Sequence, residues 1–194
     1  MSQIIRTWLG FAAIGAGLIH LAMVASSPLP VAIVLVGLGV TEFGWGILIF
    51  AKDRLIGASA ARIVAVGPVI LWSMLVLAAT LFDAAWLASL LPLIPMAIAT
   101  VFELFVVAVL SLQLRPSKGT DAAASAPASP SAGRYLLALT VGGILVGALT
   151  TPALAATEAG KYAQPHGEHN AGFVPAQVDD NPLSDLVLPD HEQH

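Results

Sequence analysis

The chain has 194 residues, of which 57% are hydrophobic and only 10% charged. Soluble domains average roughly 25% charged, so these proportions exclude an ordinary soluble fold. The formal net charge of −4 leaves no basic face for nucleic acid, and the absence of cysteine excludes disulfides, thiolate metal sites and a Cys nucleophile.

The apolar residues fall in five runs of about 20. At 1.5 Å per residue each run spans the ~30 Å hydrocarbon core of a bilayer. The first covers roughly residues 7–25 behind Arg6, and Ser26-Ser27-Pro28-Leu29-Pro30 breaks it. Its length and exit do not suit a cleaved signal peptide, so it reads as a retained span. The second covers residues 31–51 and ends at Lys52-Asp53-Arg54. The third covers residues 61–81, with Asp83 and Trp86 at its far interface, a depth that suits indole. The fourth covers residues 91–114, with Pro92 and Pro95 near its first turn, where a missing N–H does least harm. Residues 116–133 are Ala, Ser and Pro with little else and read as a flexible linker. A fifth run, 134–155, carries Gly143, Gly147 and Thr151 at i, i+4, i+8, a stripe that lets another helix approach closely. Its end, Pro152-Ala153-Leu154-Ala155, also resembles a small-x-small cleavage site.

The expected fold is therefore all-α. A four-transmembrane-helix bundle of two hairpins (1–115) is followed by the linker (116–133), a fifth transmembrane helix (134–155) and a C-terminal tail (156–194) expected to be disordered, His-rich and acidic. Orientation follows from the basic residues. Arg6, Lys52, Arg54, Arg62, Arg115, Lys118 and Arg134 fall on one side of the five runs, and Lys161 alone on the other. Basic flanks stay cytoplasmic, so the N-terminus is expected inside and the tail outside. The Ala- and Val-rich composition points to a bacterial plasma membrane.

Three ionisable residues lie deep within the apolar runs. Glu42 and Glu103 are eleven and ten residues in from Val31 and Leu93, which puts both near the bilayer midplane, roughly 15 Å deep. An acid there costs about 2.5–3.5 kcal/mol on insertion scales and turns to the bundle interior. Each also precedes an arginine, Arg54 or Arg115, by twelve residues, a faint sign of two repeated hairpins. His20 lies nearer the outer end, roughly 9 Å deep, with Gly10, Ala13 and Gly17 along its face. A histidine above two carboxyls would form a short polar path for a proton or cation. The structural alternative is a set of neutral groups that hydrogen-bond neighbouring helices.

The tail is the other candidate. His166, Glu168 and His169 lie within four residues, and His191 and His194 repeat the i, i+3 spacing. Seven acids and one Lys give residues 156–194 a charge of −6. Imidazole with carboxylate suits copper(II), zinc or nickel, and the Pro- and Gly-rich context suits a loose chelator. No His-Glu-x-x-His helix, phosphate-binding glycine loop, Ser-His-Asp order or dinucleotide fingerprint is present. The expectation is a non-enzymatic membrane protein that handles a divalent transition metal, captured by the tail and sensed or passed through the bundle. The alternative is an accessory or assembly subunit, whose small-residue faces dock a membrane-protein partner or a second copy. Lipid surrounds the helices in both.

Overall fold

The computed structural model describes residues 2–52, 55–84, 86–87, 90–115 and 131–161. All belong to one unit, Met1–Ala163. Among the described residues there is no strand. Five helices are long and apolar enough to cross a membrane: α1 (Gln3–Met23), α2 (Leu29–Ala51), α3 (Ala58–Leu81), α4 (Leu93–Gln113) and α5 (Ala132–Ala155). A short α6 (Glu158–Lys161) follows.

The breaks are chemical. Ser2 caps α1, its hydroxyl accepting from Ile5 N–H. A 3₁₀ turn over Val24–Ser26 closes α1, and the hydroxyls of Ser26 and Ser27 donate to the Met23 carbonyl. Pro30 sits in the first turn of α2. This lets α2 begin two residues before the expected Val31. Gly57, at φ 64°, opens α3 in the left-handed region. Asp83, at φ 49°, closes it, and Ala84 N–H donates back to the Ala79 carbonyl in a Schellman-type cap.

α1 is the central helix. It packs against α2, α4 and α5, while α3 rests mainly on α4 and makes few contacts with α2. The α1–α2 seam is built on glycine. A Cβ on Gly17 would lie 2.7 Å from Phe43 N and 2.8 Å from the Gly39 carbonyl oxygen. A Cβ on Gly46 would lie 2.8 Å from the Gly10 carbonyl oxygen. Gly10 thus faces Gly46 and Gly17 faces Gly39, an antiparallel register set by backbones in near contact.

α5 runs parallel to α1 and packs along it. Tyr135 reaches Thr7 at 3.4 Å, and Trp8 Nε1–H donates to the Ala138 carbonyl at 2.9 Å. Further along, Gly15 lies against Val146 and Thr150. The fifth helix is thus joined to α1 along much of its length, with a smaller contact to α4. The glycine it uses is Gly142, closed over by Trp8 and Phe11. Of the expected stripe, a Cβ on Gly143 would only graze Phe11 at 4.0 Å, and one on Gly147 would meet nothing within 4 Å.

With α1 and α5 parallel and α2 and α4 antiparallel to α1, the helices alternate in direction. Arg6, Lys52, Arg62, Arg115 and Arg134 therefore gather at one end of the assembly. Arg54 and Lys118 lie outside the described residues.

Candidate functional site

His20, Glu42 and Glu103 come from α1, α2 and α4, and the fold brings them to one point. The convergence follows from helix geometry. The glycine register sets Val36 level with His20, so Glu42 lies six residues further along α2, about 9 Å. Phe102, packed beside Gly15, puts Glu103 at a similar offset on α4. Side chains in a helix lean toward its N-terminus. Because α2 and α4 run opposite to α1, the imidazole leans one way and both carboxyls lean the other, and they meet between the levels of their backbones. The imidazole consequently lies between the two carboxyls, not above them as the depths in sequence suggested.

His20 Nδ1 is 2.7 Å from Glu42 Oε2, a short hydrogen bond. Its Nε2 is 3.5 Å from Glu103 Oε1. That distance lies beyond the ordinary hydrogen-bond range of about 2.7–3.2 Å. Accordingly, His20 Nε2 and both oxygens of Glu103 are buried without a hydrogen-bond partner. His20 is 0% exposed, Glu103 1% and Glu42 6%.

Protonation logic sharpens this arrangement. With Glu42 as a carboxylate, which only accepts, Nδ1 carries the proton and the ring is held in that tautomer. In the neutral ring Nε2 then presents a lone pair to Glu103, which also presents lone pairs. An acceptor facing an acceptor in a dry interior requires a positive centre between them, either a proton or a metal ion. Two ligands about 2.0–2.1 Å from a tetrahedral zinc ion lie roughly 3.4 Å apart, close to the separation found. One ligand atom from each of the three residues falls within 4.8 Å of the others. Glu42 would then hold the histidine as an outer-shell carboxylate or coordinate directly.

Two cavities flank the cluster. One, of about 190 Å³, is bordered by Glu42, Glu103, Thr41, Trp45, Ala61 and Val64. The other, of about 760 Å³, lies between α2 and α3 and reaches His20. Thr41 and Val64 border both, so the two lie side by side. Sequence reasoning did not find these cavities or the part Trp45 plays beside them. The indole N–H of Trp45 donates to the Ile56 carbonyl at 2.8 Å and ties α2 to the loop before α3. Two further buried hydroxyls, of Thr100 and Thr150, have no partner.

The tail residues His166, Glu168, His169, His191 and His194 lie outside the described residues. The junction before them is α-helical to Ala155. Thr157, 1% exposed, then caps α6, its hydroxyl accepting from Gly160 N–H.

No family model, curated relative or solved structure matches the chain. Fold and site are therefore the basis for function.

Proposed function

We propose that this chain is a multi-pass membrane protein that binds a divalent transition-metal ion between His20, Glu42 and Glu103. The observation that carries the reading is the pair of unpartnered polar groups, His20 Nε2 and the Glu103 carboxyl, 3.5 Å apart in a buried site, a separation two ligands of one ion would have. Charge balance favours it as well. Two carboxylates and a neutral imidazole offset a 2+ ion completely, and a net-neutral site is the least costly one at membrane depth. Imidazole with carboxylate selects zinc, copper(II) or nickel over calcium or magnesium.

The arrangement fits sensing or passage of the ion more than catalysis, so the chain is proposed as a non-enzyme. The basic end of the bundle is assigned to the cytoplasm of a bacterial plasma membrane. The histidine-rich segment, with His166, Glu168, His169, His191 and His194, then lies outside as a capture arm. It raises the local ion concentration and lowers no barrier itself.

The test is a titration of the full chain in lipid nanodiscs with zinc, copper(II) or nickel. It is repeated with His20→Ala, with Glu103→Gln and with the chain shortened after Ala155. One tight site is expected in the full chain. It should weaken about 10–100-fold in the two membrane variants, the range for loss of a metal ligand or its support. The shortened chain should keep the tight site and lose only weaker ones. Equal binding by the full chain and Glu103→Gln would refute the membrane site.

The second reading is an accessory subunit that docks through α5. It is favoured by the open face at Gly147, which the fold leaves uncovered.

A further inference from the structure

We infer that the paired cavities bind a membrane-soluble phenol or hydroquinone bearing an apolar tail. Its ring occupies the smaller cavity and its tail the cleft between α2 and α3. This goes beyond the metal reading and does not depend on it.

The argument begins with shape. An apolar cavity of about 150 Å³ holds a benzene ring. The smaller cavity, at about 190 Å³, takes one ring with a small substituent. Across Thr41 and Val64 it adjoins the cleft of about 760 Å³, walled by Ile33, Val34, Leu38, Ile63, Leu71 and Leu75. That volume suits a tail of ten or more carbons. The cleft exists because α3 packs on α4 and only sparsely on α2.

Chemistry then selects the head. The walls are apolar, which disfavours a charged or zwitterionic molecule. Of the polar groups on the smaller cavity, Thr41 donates to the Gly37 carbonyl and Glu42 is bound to His20, whereas Glu103, 1% exposed, has neither oxygen paired. A hydroxyl donor supplies the missing hydrogen bond. Phospholipid tails would fill the cleft, but their headgroups stay at the interface and leave Glu103 unpaired. A neutral ring with a hydroxyl carries its donor to the midplane without that cost.

The experiment is equilibrium binding of radiolabelled 4-decylphenol to the full chain in nanodiscs, with empty nanodiscs subtracting lipid partition. Decylbenzene, which lacks only the hydroxyl, is the control probe. One saturable site is expected, at least tenfold tighter for the phenol. Gly67→Phe should weaken it at least tenfold by filling the cleft. Gly67 borders the cleft, and a Cβ there meets nothing within 4 Å, so the side chain starts from open space. Ala61→Phe should do the same in the ring cavity, and Gly67→Phe decides alone if that variant fails to fold. In Glu103→Met the phenol should lose its advantage over decylbenzene. No saturable component, equal binding of the two probes, or unchanged binding in Gly67→Phe would overturn the inference. Each measurement is made with chelator and again with zinc. Phenol binding that survives chelation, in a chain that shows no metal site, would sink the metal reading and leave this one standing.

Discussion

α1 and α5 have the same mean hydropathy over their most apolar stretch, 1.8, yet 56% of that stretch is buried in α1 and 17% in α5. In water such a difference would be written in the apolar pattern. In a bilayer both lipid and protein are apolar, so hydropathy does not separate an inner helix from an outer one. What separates them is small residues and polar groups. α1 carries Gly10, Gly15 and Gly17, each pressed against a neighbour, together with His20. α5 carries Gly142 against Trp8 and leaves Gly147 open. The same residue type thus lies in close contact at three positions of α1, whereas in α5 Gly142 is closely packed and Gly147 meets nothing.

The largest expected effect comes from breaking the α1 seam. Gly17→Leu places a branched side chain where even a Cβ would lie 2.7 Å from Phe43 N. Backbone atoms cannot step aside as a flexible side chain can. Overpacking of this kind costs about 3 kcal/mol or more, on the order of 10 °C in Tm. Thermal unfolding in nanodiscs measures it. The variant should also lose metal binding, because separating α1 from α2 pulls His20 from Glu42. A Tm within 2 °C of the unaltered chain, as a rough margin, would mean that the seam does not hold the helices together.

A sharper comparison lies within the site. If His20 Nε2 and Glu103 hold the ion while Glu42 orients the ring, the two carboxyls are unequal. Glu42→Gln still accepts the Nδ1 hydrogen bond and should weaken metal binding about tenfold. Glu103→Gln removes a ligand and should weaken it about 100-fold. The double variant should bind no worse than Glu103→Gln, because residues acting as a unit are non-additive. Calorimetric titration of the four proteins gives the cycle. Fully additive losses would place the two carboxyls in separate sites.

These contrasts also explain what the sequence could disclose. Bilayer thickness fixes the length of a span, so all five helices were legible, with ends displaced by one to three residues in most cases. Glu42, Glu103 and His20 were legible because polar groups are costly in hydrocarbon and therefore rare there. Their relative placement was not. It depends on the offset between antiparallel backbones, which the Gly17–Gly39 contact sets, and on side chains leaning in opposite directions. Nor could the glycines of α5 be ranked, because Gly142 and Gly143 are adjacent and differ only in which way each faces. The cavities were invisible for a related reason. They arise from α3 packing on α4 in preference to α2, and hydropathy carries no trace of that choice.

The smallest expected effect is the most useful for the second reading. Gly147 lies in α5 with nothing within 4 Å of its would-be Cβ. Gly147→Leu therefore adds a side chain whose Cβ meets no atom of this chain. It also raises helix propensity by something under 1 kcal/mol. The Tm of the isolated protein should stay the same or rise slightly, and metal affinity should not change. The same substitution would block any helix that approaches α5 through this face, since close approach needs a residue without a side chain. Native-membrane extracts separated by size would then show the difference. A tagged chain that runs in a larger assembly, and leaves it on Gly147→Leu while keeping its Tm, would establish α5 as a docking face. An assembly indifferent to the change would remove that face from the argument and leave the cluster at His20 as the functional centre. A large fall in the Tm of the isolated chain would contradict the packing described for α5 itself.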